Sequence, residues 1–202
     1  MRIVELILDE ELEDAGVEAI SIVESGAIES DFVALNSQEI KLAEVDKEKK
    51  ILLGALLIPN KPIYRMGDEG EYYIFFSKDT IVKASQMYLR NGYQNNSTLE
   101  HAQALKGLTL VESWIVESET QDKSRKYGLN VPIGTWMGSV KVNNEEVWQT
   151  YVKTNKVNGF SIEGFFADKM ERPKEKIKED LSKEDKILNK IVNILNSNNE
   201  TK

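Results

Sequence analysis

Short apolar stretches separated by acidic or glycine-containing breaks run through the first part of the chain. "RIVELIL", "VEAISIVES" and "DFVALN" predict strands and turns rather than long helices. "KKILLGALLIPN" is a continuous apolar run ending in a Pro-Asn-Lys-Pro break, as a buried strand would, and "GEYYIFFS" repeats the theme with aromatics. The spacing changes in "SKDTIVKASQMYLRNG". Ser77 reads as an N-cap, Asp79 lies in the first turn, Ile81, Val82, Ala84, Met87 and Leu89 supply an apolar face, and Gly92 is the stop. "GLTLVESWIVES", "GTWMGSVKV" and "GFSIEGFF" read as further strands, and "NNEEVWQTYVKTNKVNG" as an Asn-capped helix with a glycine end. From Ala167 onward the chain is mostly charge until an S-x-x-D capping pattern, Ser182 to Asp185, precedes Ile187, Leu188, Ile191, Val192 and Leu195 on one helical face.

Strands dominate, so the expected class is α+β and β-rich, with two inserted helices. Three parts follow. Residues 1–45 form a strand-rich segment packing on the core, residues 46–167 the core domain, and residues 168–202 a charged linker with an amphipathic C-terminal helix, docked on its own domain or on a partner.

Composition narrows the function. A chain of 202 residues suits one domain plus extensions. No apolar run approaches the ~20 residues of a membrane-spanning helix, and the acidic start lacks the features of a secretory signal, so the expected site is the cytoplasm, without membrane attachment. With no cysteine and one histidine, disulfides, thiol catalysis, cysteine-ligated zinc and multi-histidine sites are excluded; only a carboxylate metal site would survive, and no cofactor is expected. A net charge of −8 without a basic patch argues against nucleic-acid binding. It suits solubility, or a partner with a basic surface.

Chemistry then rests on few residues. Ser161 stands in the apolar run "VNGFSIEGFF", where it is either a nucleophile or a small residue in a strand. The G-x-S-x-G elbow is not met: Gly164 follows Ser161 by three residues, and the setting is strand, not strand-to-helix. A serine nucleophile needs a base, usually histidine. The only candidate is His101, in the polar segment "NNSTLEHAQALKG", which suits a site at a sheet edge as well as it suits a surface histidine.

Taken in order, "STLEHAQALKGLTLVESWIVE", "DKSRKYGLNVPIGTWMGSVKVNNEEVW" and "VNGFSIEGFF" resemble the phage serine proteases of the XkdF type. Those are relatives of the tailed-phage prohead maturation proteases, which in turn resemble the herpesvirus assemblin fold. "VEAISIVESGAIESDFVALN" is similar to the segment that often precedes this domain. The resemblance spans roughly residues 15 to 166 and lies in order and spacing. It implies an assemblin-like β-barrel, with the histidine of the "EH" segment, His101, as base and the serine of the G-[FL]-S-I strand, Ser161, as nucleophile. It also implies a place inside the assembling prohead in the host cytoplasm, with phage scaffold and major capsid proteins as substrates or docking partners. A homo-oligomer stays open. The third catalytic group, with one histidine in the chain, is an acid or absent. Glu112 is the first choice because it interrupts an apolar strand; Glu163, two residues from Ser161 and so on the same strand face, Glu100 and Asp122 are the alternatives. The rival to an enzyme is a non-catalytic capsid or scaffold-associated protein that keeps the fold.

Overall fold

The apolar stretches become strands. The computed structural model describes residues 2–8, 15–24, 33–35, 49–67 and 70–168, all within the compact unit of residues 1–170. In chain order the strands are β1 (Arg2–Ile7), β2 (Gly16–Val23), β3 (Val33–Leu35), β4 (Ile51–Leu57), β5 (Ile63–Gly67) and β6 (Gly70–Phe76). Helix α1 (Lys78–Arg90) is followed by β7 (Ser97–Leu99), β8 (Gln103–Leu105), β9 (Leu108–Ile115) and β10 (Trp136–Val142). A short helix α2 (Glu145–Val147) then runs into a π-helical turn, Trp148–Val152, before β11 (Gly159–Phe165) and β12 (Ala167–Asp168).

These strands form three four-stranded sheets, ordered β12-β1-β6-β5, β3-β4-β10-β9 and β11-β2-β7-β8. The β-rich α+β class is thus present. The expected barrel is not: among the described residues the pairings leave three separate sheets and close no ring. The strands from residues 1–45 are woven into these sheets, since β1 pairs with β6, β2 with β7 and β11, and β3 with β4. The C-terminal helix expected near residues 187–195 lies outside the described residues.

Burial explains which pattern each strand carries. On β4 every residue from Leu52 to Leu57 is buried, because that strand has the main core on one face and a smaller cluster of Leu53, Ala55, Val116, Val131 and Met137 on the other. Two buried faces require a continuous apolar run rather than alternation. Gly138 on β10 is there for space: a Cβ would stand 2.7 Å from Leu110 Cδ1 and 2.9 Å from Leu56 Cδ1.

Helix α1 forms as expected. Ser77 Oγ accepts the Thr80 N–H, satisfying one of the donors left open at a helix start, and Gly92 follows in the left-handed region at φ 76°. Its buried face holds Ile81, Ala84, Met87 and Tyr88, whereas Leu89 is exposed. The second helix is shorter than its pattern predicts. Asn144 caps it through the Val147 N–H, but the turn widens so that Lys153 N–H donates to Trp148 O at 2.9 Å, and Gly159 belongs to β11 rather than to a helix end. Val147, Trp148 and Val152 are all buried; the wider turn is what accompanies this burial of β-branched and aromatic residues, which are weak helix formers.

Candidate functional site

Sheet β11-β2-β7-β8 carries both residues that the sequence singled out. Strand β2 is its centre, antiparallel to β11 and parallel to β7. Paired residues in a sheet share a face, so Phe160 and Ile162 of β11 lie with Ile22 and Ile20 of β2 on the core side, and Ser161 and Glu163 lie with Ser21 and Ala19 on the other. Thr98 of β7 extends the row, because it is the register partner of Ser21. One face therefore presents Ser161, Ser21 and Thr98 across three strands, with Glu163 one step along.

His101 reaches this face from the turn between β7 and β8. Ala102 N–H donates to Leu99 O at 3.0 Å, closing the turn, and both of its central residues are left-handed, Glu100 at φ 51° and His101 at φ 56°. Turns of this kind suit the right-handed twist of a hairpin but usually carry Asn or Gly. A non-glycine residue held there costs about 1–3 kcal/mol and persists only when its surroundings impose it. Here β2 and the residue after it impose it: Glu24 N–H donates to Glu100 Oε1 at 2.6 Å, and His101 N–H donates to Ser21 Oγ at 3.0 Å.

The ring of His101 is thereby set against a carboxylate. His101 Nδ1 lies 3.2 Å from Glu163 Oε1, and Thr98 Oγ1 donates to the same oxygen. Ala19 is opposite Glu163 in the register. The imidazole side chain is 41% exposed and that of Glu163 31%, while Ser161 is 7% exposed. Among the described residues no hydrogen bond joins Ser161 to His101. Hydroxyl, imidazole and carboxylate nevertheless share one sheet face, and the carboxylate stands on the ring nitrogen that leaves Nε2 open to a substrate or a nucleophile.

Gly164 gives this strand its shape. The pairing of β11 with β2 slips between Glu163 and Gly164, and a Cβ on Gly164 would stand 2.0 Å from Gly16 O. Only glycine fits such an approach, and the bulge turns the strand immediately after Glu163.

The other candidate acids are placed elsewhere. Glu112 lies on β9 in the sheet β3-β4-β10-β9, directly opposite Ser139, where its carboxylate accepts from Lys123 Nζ and Ser139 Oγ. Those two partners, Lys123 foremost, hold it below the usual carboxylate range against the effect of burial. The structure does not bring Glu112 to His101. Burial pushes Asp122 up, but hydrogen bonds from Ser124 and Trp114 and the charge of Arg125 outweigh it and hold that carboxyl low. Its work is to cap the 3₁₀ turn Lys123–Tyr127. Glu100 adjoins His101, yet its carboxylate is turned to the Glu24 N–H.

Ser21 and Thr98 escaped the sequence reading. A serine between two isoleucines was the available signal for Ser21. For Thr98 there was none, because "STLEHAQAL" has no Gly or Asn to mark the hairpin. Among the described residues no group of three His, Asp or Glu side chains could hold a metal ion, and no helix is long and apolar enough to cross a membrane.

A β-rich α+β chain with serine, histidine and carboxylate on one sheet face has the side-chain set of a serine hydrolase. Comparison with known families agrees. The chain belongs to the family described as putative phage serine protease XkdF, whose model matches residues 39–171. No curated protein and no solved structure matches the chain.

Proposed function

We propose that this chain is a serine endopeptidase of phage head assembly, in which Ser161 is the nucleophile, His101 the general base and Glu163 the group that orients the base. The observation that carries this reading is the 3.2 Å approach of His101 Nδ1 to Glu163 Oε1, on the sheet face that also bears Ser161 two residues before Glu163. A carboxylate on Nδ1 selects the tautomer with its proton there, leaves Nε2 as acceptor and supports the imidazolium that forms. His101 Nε2 takes the Ser161 Oγ proton as the oxygen attacks a peptide carbonyl, then returns it to the leaving amine; water, deprotonated the same way, releases the acyl group. Contacts of this kind are often long before substrate arrives and tighten in the complex, which accommodates the missing Ser161 to His101 hydrogen bond. Glu163 replaces Glu112 as the third member on this reading.

The family membership supports a phage protease role, and with the resemblance to prohead proteases it supports scaffold and major capsid proteins as substrates, cleaved within the prohead. The same resemblance supports kinship of the three sheets with the assemblin fold. A second reading, a head protein that keeps the fold without activity, draws on the burial of Ser161. Co-expression with the scaffold and capsid proteins of the same phage separates them. Cleavage by the wild type that is lost in Ser161→Ala supports the enzyme; identical, uncleaved patterns from both would sink it.

A further inference from the structure

A hydroxyl buried inside an apolar strand has to be explained by its partners. Ser21 interrupts Ile20 and Ile22 at the centre of its sheet and is 0% exposed. Its Oγ donates to Thr98 O at 3.4 Å. Its other bond is less ordinary. Ser21 Oγ accepts the backbone N–H of His101 at 3.0 Å, reaching past the end of β7 to the residue that carries the imidazole. That residue is in the left-handed region at φ 56°, an uncommon conformation for a residue with a side chain. Ser21 is at the same time the register partner of Ser161, and residues so paired carry their Cβ atoms about 4.5–5.5 Å apart. One side chain thus grips the backbone of the base while standing beside the nucleophile.

We infer that Ser21 is a positioning residue that sets where His101 stands relative to Ser161. The inference rests on the Ser161, His101 and Glu163 reading above and extends it to a residue outside the family match. That match begins at residue 39, yet strand β2, residues 16–23, lies between the strand of Ser161 and the hairpin of His101. The site is therefore incomplete without the N-terminal segment.

A fluorophosphonate probe tests this without knowledge of the natural substrate. The Ser161 oxygen forms a bond to phosphorus, the phosphorus–fluorine bond breaks, fluoride leaves, and His101 takes the serine proton. In the full-length chain, Ser21→Ala is expected to slow labelling of Ser161 by about 10- to 100-fold, the scale on which a small misplacement of a catalytic group acts. Ser21→Thr, which keeps the hydroxyl, should recover most of that loss. Because His101 is the only histidine in the chain, its ring signals in NMR are unambiguous and should move in Ser21→Ala, which a merely structural loss of stability would not produce in the folded protein. Labelling within twofold of wild type with unmoved ring signals would overturn the inference. Should Ser21→Ala not fold, the wild type decides through hydrogen exchange of the His101 backbone amide: protection supports the bond to Ser21, and exchange at the rate of an open turn overturns it. Absence of labelling at Ser161 in the wild type would remove the protease reading instead, a separate result from the exchange measurement.

Discussion

Two clusters in this molecule contain nearly the same ingredients. Ser161, Glu163 and His101 stand on the sheet β11-β2-β7-β8; Ser139, Glu112 and Lys123 stand on β9, β10 and the turn beside them. Each has a hydroxyl, a carboxylate and a basic group. They differ in what the carboxylate faces. Glu112 is closed off by the Lys123 ammonium group and by Ser139, which is 0% exposed, so that cluster has no imidazole to serve as a base. Glu163 faces an exposed imidazole whose second nitrogen stays open, and imidazole is the side chain most often used as a general base. The same residue types thus form two different arrangements, set apart by the partner of the carboxylate.

The contrast can be broken at several points. Ser161→Ala should remove activity by about 10⁴-fold or more, measured as cleavage or probe labelling, with the thermal midpoint nearly unchanged. Full activity in that variant would end the comparison, since neither cluster would then be catalytic. Glu163→Gln keeps the shape of the side chain but offers His101 a weaker and wrongly polarised partner, and should cost about 10²- to 10⁴-fold in kcat. A loss of less than threefold would return the third role to an unidentified group. Glu112→Gln should leave kcat within about twofold, because that carboxylate touches only Lys123 and Ser139 among the contacts described. A severe loss would show that the two clusters are coupled.

The smallest effect concerns stability. Both Glu112 and Lys123 are more than a third exposed, so their pair contributes about 0–1 kcal/mol. Its pH dependence has a definite sign. Glu112 is held below its usual range in the folded chain, so its contribution is present above the unfolded value of about 4.3 and is lost as pH falls through the lower, folded value. The difference in midpoint between wild type and Glu112→Gln should therefore shrink in acid, and a gap that widens there would refute the assignment of the ion pair as the cause.

Core packing gives one further check. Phe160 is adjacent to Ser161 but points to the opposite face and is 1% exposed. Phe160→Ala should cost about 3–5 kcal/mol in a denaturant titration, while conservative Phe160→Leu should keep the fold and the labelling of Ser161. Activity lost in folded Phe160→Leu would mean that the core side of β11 feeds into the site.

Much of the fold could be seen along the chain. The long apolar runs at Ile51–Leu57, Leu108–Ile115, Trp136–Val142 and Gly159–Phe165 are strands because burial on both faces, or strict alternation, leaves a local signature. Ser77, Asp79 and Gly92 mark a helix by rules that act within one turn. The hairpin β7–β8 escaped notice because its turn, Glu100 and His101, is stabilised by bonds to β2 and the residue after it, about 80 residues earlier in the chain, and carries no turn residue of its own. The same distance hid the contacts of Ser21 and Thr98. Glu163 was legible only as a period-two neighbour of Ser161, an alternative beside Glu100 and Asp122 and behind Glu112.

Sequence by itself determined the class of fold, most of the strands and the first helix, and it singled out a strand serine and a solitary histidine. Those are properties of periodicity, capping and residue counts, which need no knowledge of what lies across a sheet. Tertiary structure alone decided that three sheets form without a closed ring among the described residues, that Glu163 and not Glu112 meets His101, and that strand β2 lies between the strand of Ser161 and the hairpin of His101. Each of those depends on register between strands far apart in sequence, where a slip of one residue turns every side chain to the other face.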